Sequence, residues 1–370
     1  MVSIYWCRVA VAMLIGGLTV QIEAVDFFYL SMPEVLDIGD GSQDLLLVRI
    51  SAGGYIGWGE CEASPLVSIA SFVTPMSHSA CKPVRDSVLG QSIDTIEDIR
   101  RIGDLVRVNS LDLLQSDHTL SGIDMALWDL LGKVREEPVY ALLGSPIAHP
   151  KRPYASQLFG DTAAETFRLA RQVRQDGYTA AKFGWGPFGL GEVADDVEQV
   201  TAAREGLGPD AALMVDVGTV WADDIARAGE RLDVLKQCDV TWLEEPFVTG
   251  AFDAYRTLAE RARPVALAAG EGCHNAWQAR HLIDYAGIGF VQVDAGRIGG
   301  ITPALDVARY ARERGVTYVN HTFTSHLALS ASLQPFAGMA NDEICEYPVS
   351  PKSLALDVTR EHLDRDRNGM

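Results

Sequence analysis

No two of the six cysteines (Cys7, Cys61, Cys81, Cys238, Cys273, Cys345) stand at CxxC spacing. That excludes a zinc ribbon and argues against a disulfide framework; reduced, buried thiols of a cytoplasmic protein are expected instead. Positive charge is also scarce, with 31 Lys and Arg against 50 Asp and Glu and a formal charge of −19. Nucleic acid and anionic membrane surfaces would be repelled, whereas a small anionic substrate stays compatible because a bound cation reverses the sign locally. There is no low-complexity tract and no exact repeat. The apolar stretch Val9 to Val20 is too short to span a bilayer. Following Arg8, it mimics a weak signal peptide, but the strand pattern beginning at Glu23 leaves little room for a cleavage site. Residues 1–20 are therefore read as a leader or an extension.

What the chain does contain changes character midway. Glu23–Met32, Asp44–Ala52 and Tyr55–Ala63 carry the β-branched and aromatic content of strands, with Gly53-Gly54 as a tight hairpin turn. Helical spacing follows over 66–90, 94–107 and 117–134, which makes an α+β domain over 21–135. From Pro153 short apolar strands alternate with helices, among them 163–176, 192–206, 222–236, 251–262, 275–285 and 302–314. Eight strands in that alternation describe a parallel α/β barrel of the (β/α) type over 136–348, leaving 349–370 as a C-terminal segment.

Polar residues mark the ends of those strands. Asp216, Glu244, Glu271, Asp294, His321 and Glu346 follow one another at 28, 27, 23, 27 and 25 residues, about one strand-helix unit each. Such a rhythm gathers them on one rim of the barrel, where active sites of this architecture lie. Any single acid there could equally cap the following helix. Three in sequence (Asp216, Glu244, Glu271) form an all-oxygen set suited to Mg²⁺. Glu245 should face the other way, since neighbours on a strand point to opposite faces. An aspartate beside a histidine fixes its tautomer and raises its basicity, so Asp294 and His321 read as an orienter and a base; His326 is a secondary candidate.

Lys182 ends the strand YTAAKF, placed to steady a substrate carboxylate or enolate. Directly after it, Gly184 to Gly189 spells GxGxxG, the signature of a dinucleotide-binding turn. Pro187 removes a backbone donor there, and that reading leaves the later acids and His321 unexplained.

Taken with IDMALWDLLGK…PVYALLG (123–144), WLEEP, the GE at 270–271 and DAGRIGG (294–300), the chain resembles the mandelate racemase group of the enolase superfamily over 21–365. The resemblance implies a modified (β/α)8-type TIM barrel, (β/α)7β, under an N-terminal α+β capping domain. It implies Asp216, Glu244 and Glu271 as Mg²⁺ ligands and Asp294–His321 as the dyad acting on the carbon next to a carboxylate. Glu346 would bond that carboxylate, and cap segments 33–43 and 60–65 would set specificity.

Three departures qualify it. The racemase pattern ends its second barrel strand in Lys-x-Lys, but this chain has Lys182-Phe183-Gly184, so no opposing base is available. Gly218 stands where relatives often carry a polar residue. The chain stops at Met370, short of the usual return toward the cap, and a truncated last segment is expected. The expected activity is thus one-base dehydration of an acid sugar (aldonate or aldarate) to a 2-keto-3-deoxy acid, in a cytoplasmic homo-oligomer. Its rivals are a racemase or epimerase of the same family, a nicotinamide-dependent dehydrogenase using Gly184–Gly189, and a non-catalytic remnant.

Overall fold

A computed structural model describes residues 20–39, 42–62 and 64–370. The stretch read as a leader or extension lies outside the described residues, apart from Val20.

The N-terminal part begins with a three-stranded antiparallel sheet in the order β1-β2-β3: β1 Ile22–Leu30, β2 Leu45–Ala52 and β3 Tyr55–Cys61. The long helix Ser116–Arg135 lies on β3. Gly57 and Gly59 explain how closely. A β-carbon on either would collide with a helix carbonyl oxygen, that of Ala126 or of Gly122. Backbone therefore rests on backbone, with Val48, Ile50, Ile123 and Leu127 fully buried around the seam.

The single helix expected over 66–90 is two short ones, Pro65–Val73 and Arg85–Val88. Pro75 and Pro83 bias the residues before them away from helical backbone and remove two donors. The expected helix over 222–236 is likewise split into Ile225–Gly229 and Leu232–Gln237. Asp224 caps the first by accepting from Arg227 N–H at 3.0 Å, and Gly229, a poor helix former, ends it.

The second part is an eight-stranded parallel sheet curled into a nearly closed barrel. Its strands are β4 Arg152–Leu158, β5 Ala180–Gly184, β6 Ala212–Asp216, β7 Val240–Glu244, β8 Ala266–Ala269, β9 Phe290–Asp294, β10 Thr317–His321 and β11 Ile344–Pro348. They neighbour in the order β10-β9-β8-β7-β6-β5-β4-β11. Side chains help close the remaining gap: Glu346 N–H donates to Asn320 Oδ1 and Thr322 N–H donates to Glu346 Oε2, both at 2.9 Å. The fold is thus the (β/α)-type barrel with an α+β cap that the sequence predicts. Among the described residues no helix is long and apolar enough to cross a membrane.

The cap docks through polar contacts at the start of helix Ile301–Arg314. Asp124 accepts from Thr302 N–H (3.0 Å) and Thr302 Oγ1 (2.5 Å), and Trp128 Nε1 donates to the same hydroxyl at 2.9 Å. A buried carboxylate at a helix N-terminus satisfies donors that the helix itself cannot.

Candidate active site

Alternation along the strands builds the site. Tyr154, Ala180, Met214, Trp242, Ala268 and Val319 form an apolar cluster, fully or almost fully buried, that fills the lumen. Two residues further on, the same faces carry Ser156, Lys182, Asp216, Glu244 and His321. Ile344 packs on the cluster and its own i+2 partner is Glu346. A dry plug therefore lies beneath a ring of polar groups at the carboxyl end of the strands.

Asp216, Glu244 and Glu271 are all buried, and each offers an oxygen within 4.8 Å of the others. Glu271 lies two residues past β8, beyond Gly270, rather than on the strand. Burial first, then the charges of Glu244 and Glu271, hold the Asp216 carboxyl well above its ordinary pKa, against the pull of Lys182. Glu244 is raised too, by burial ahead of its neighbours. Carboxylates crowded in this way fit a hard divalent cation, which would relieve both penalties.

Lys182 is 2 % exposed and sits inside this crowd. Its Nζ lies 2.5 Å from Glu244, 2.8 Å from Glu346 and 3.3 Å from Asp216. Burial alone would lower its pKa, but those carboxylates outweigh it and raise it well above the ordinary value. Glu244 also accepts from Trp242 Nε1 and Gln292 Nε2, both at 2.9 Å, so its position is fixed from several sides. Glu346 takes Ser156 Oγ at 2.9 Å.

Next to this cluster, His321 Nδ1 lies 2.8 Å from Asp294 Oδ2. Its other ring nitrogen, Nε2, is 2.9 Å from Glu271 Oε2 and 4.0 Å from Glu346 Oε2. Burial pushes Asp294 up, yet hydrogen bonds with His321 and Glu62 and the nearby positive charges bring it down to about 2. The seven residues singled out from the sequence as catalytic or metal-binding (Lys182, Asp216, Glu244, Glu271, Asp294, His321, Glu346) are thus drawn into one connected group.

Glu245 turns elsewhere. With φ 37°, an uncommon backbone for a glutamate, its Oε1 accepts from Gly270 N–H (3.2 Å) and Gly272 N–H (3.3 Å). Burial, then Glu271, push its pKa up to about 8. His326 sits apart from the dyad, stacked on His362 with ring centroids 4.6 Å apart. The GxGxxG segment follows β5 within a nearly closed barrel and not at the edge of an open sheet. Its Trp185 (φ 54°) packs against Gly39 of the cap and against Gly218, whose N–H donates to Asp216 Oδ1 at 2.9 Å.

Two further groups at the site have no individual role assigned from the sequence, although Glu62 falls in the cap segment 60–65 expected to set specificity. Glu62, 2 % exposed, takes Arg297 Nη2 at 2.5 Å and Gln43 Nε2 at 3.1 Å. Arg297 Nη1 also lies 3.6 Å from Glu271. Arg297 falls in DAGRIGG and Glu62 just past β3, and their meeting joins chain positions 235 residues apart.

Family comparisons agree with this architecture. Residues 31–144 match the mandelate racemase / muconate lactonizing enzyme N-terminal domain, and 165–370 match the enolase C-terminal domain-like family. The chain belongs to the mandelate racemase / muconate lactonizing enzyme family of the enolase superfamily. A crystal structure from Rhodobacter sphaeroides, described as a predicted mandelate racemase, is 61% identical with a TM-score of 0.90, covering 95% of this chain and 90% of that one. The D-galactarolactone cycloisomerase of Agrobacterium fabrum is 28% identical over 86% of this chain and 80% of its own. The L-rhamnonate dehydratase of Saccharopolyspora erythraea is 30% identical over 59% of this chain and 55% of its own. Relatives within the superfamily thus include enzymes that act on sugar acids and their lactones.

Proposed function

We propose that this family member is a Mg²⁺-dependent dehydratase of an acid sugar, an aldonate or aldarate, acting in the cytoplasm. The observation that carries the reading is His321, with Nδ1 tied to Asp294 and Nε2 turned toward Glu271 of the carboxylate cluster. Asp216, Glu244 and Glu271 would hold the ion, which when bound supplies Lewis-acid stabilisation of charge on the substrate carboxylate.

The chain's own groups do the remaining work. His321 Nε2 takes the proton from the carbon next to the carboxylate, and Asp294 keeps Nδ1 protonated throughout. Lys182 polarises the carboxylate as it gains enediolate character, and Glu346, which accepts from Lys182, organises that lysine beneath it. The protonated imidazole then returns its proton to the departing β-hydroxyl. One C–H and one C–O bond break, a C=C bond forms, water leaves, and the enol tautomerises to a 2-keto-3-deoxy acid.

Similarity to a rhamnonate dehydratase supports elimination from a sugar acid. Similarity to a D-galactarolactone cycloisomerase makes the lactone of a sugar acid the alternative substrate. Racemisation or epimerisation needs a proton donor on the opposite face, and Gly184 offers none.

The test incubates the Mg²⁺-loaded protein with a panel of aldonates, aldarates and their lactones in D2O. A 2-keto acid formed from an open-chain acid, and abolished by EDTA, supports the dehydratase. Product from lactones alone indicates a cycloisomerase. Deuterium at the α-carbon with the hydroxyl retained indicates an epimerase, and no turnover of any member refutes all three.

A further inference from the structure

Asp294 is held from more than one side. Its Oδ2 faces His321 Nδ1 at 2.8 Å, its Oδ1 accepts Gly296 N–H at 2.5 Å, and a carboxylate oxygen of Glu62 lies within 4.8 Å of its own. Glu62 belongs to the cap, one residue past β3, while Asp294 ends β9 of the barrel. Polar atoms of Glu62, Asp294 and His321 lie within 4.8 Å of one another, and all three residues are buried.

The cap residue is itself fixed. Its N–H donates to Gly296 O at 3.1 Å, and its Oε1 receives Arg297 and Gln43. Glu62 thus faces the carboxylate that orients the ring, and it holds the Arg297 guanidinium, a cation that favours the ionised form of Asp294.

We propose that Glu62 is a positioning residue for the Asp294–His321 dyad, contributed by the cap and clamped by Arg297. The inference rests on the reading of His321 as the base. Glu62 acts through Asp294, as outer partners of a functional histidine do when they fix its tautomer. Arg297 extends the same brace to Glu271, so that cap, dyad and carboxylate cluster share one guanidinium.

The experiment needs no substrate. The full chain, ¹⁵N-labelled at histidine and kept in magnesium buffer, is studied by NMR for the His321 ring. His321→Gln identifies the signal by its loss, and Asp294→Asn serves as reference. Glu62→Ala is expected to mix the two tautomers and to speed water exchange of the Nδ1 proton about 10-fold or more. Glu62→Gln keeps the side chain's length and an oxygen that accepts from Arg297, and should keep the wild-type signal. Arg297→Lys, which loses the two-pronged fork, should move it part of the way.

A lower melting temperature in Glu62→Ala with an unchanged His321 ring signal would make Glu62 a mere bolt between domains and overturn the proposal. Should Glu62→Ala fail to fold, Arg297→Lys decides: an unmoved ring signal overturns it equally. If Asp294→Asn itself leaves the ring unchanged, the dyad reading falls. If Asp294→Asn moves the ring but Glu62→Ala does not, only the role of Glu62 falls.

Discussion

Gly184 and Asp216 stand so close at the ends of β5 and β6 that a β-carbon on the glycine would lie 2.7 Å from the Cβ of the aspartate. The rim position where a racemase would carry its second lysine is therefore closed by the Asp216 side chain. Overpacking of this kind costs about 1–3 kcal/mol. Gly184→Ala should lower the melting temperature and displace Asp216, weakening Mg²⁺ binding in calorimetric titration. Gly184→Lys should do the same without gaining racemase activity. Wild-type Mg²⁺ affinity together with new α-proton exchange in Gly184→Lys would show that the position is open after all.

Replacing the proposed base isolates the chemical step. His321→Gln should retain the fold by circular dichroism and lose turnover by a factor of about 10²–10⁴ or more, the range for a positioned proton-transfer group. Exchange of the substrate α-proton in D2O should disappear with it. Exchange that persists at the wild-type rate would assign proton removal to another group.

Lys182 neutralises carboxylates that are themselves buried. Removing one partner of a buried ion pair costs about 3–5 kcal/mol, so Lys182→Met should melt at markedly lower temperature in EDTA. Because Asp216 and Glu244 are within its reach, added Mg²⁺ should recover more of the lost stability in the variant than it adds to the wild type. Differential scanning calorimetry with and without the ion reads this directly, and equal Mg²⁺ increments would argue against a shared set of oxygens.

Glu60 lies fully buried on β3, where it accepts a hydrogen bond from Ser325 Oγ. Burial, partly opposed by hydrogen bonds from Ser325 and Thr324, raises its pKa to about 7. A carboxyl raised on folding contributes stability below its unfolded pKa, near 4.5, and loses it as pH rises through 7. Glu60→Gln cannot ionise. Its melting temperature should therefore gain on that of the wild type as pH rises from about 4.5 to about 7, most steeply midway between those values, and level off above them. Taking the difference between the two proteins cancels His118, which burial lowers to about 4 and which acts in the opposite direction. A difference that stays flat with pH would mean that Glu60 does not titrate in this window.

The barrel was readable because its inward faces keep strict alternation. Met214 then Asp216, Trp242 then Glu244, and Val319 then His321 each pair an apolar lumen residue with a polar one at the rim. Irregular backbone was less legible. Glu271 reaches the cluster from a turn past β8, and the helical spacing over 66–90 conceals breaks at Pro75 and Pro83. Least legible was the Glu62–Arg297 pair, because the register between two domains is set by packing and leaves no periodic trace in the sequence. The same holds for Lys182, whose strand position is visible but whose enclosure by three carboxylates depends on strands distant in sequence.

The two glycines of β3 let the long helix rest on the strand backbone to backbone, and Glu62 hangs from the edge of that joined sheet and helix. On the proposed function, substitutions in the loop between β1 and β2 would alter which molecules fit beneath the cap while leaving that backbone seam in place. Selectivity would then drift through evolution with the His321 and Asp294 pair still aligned.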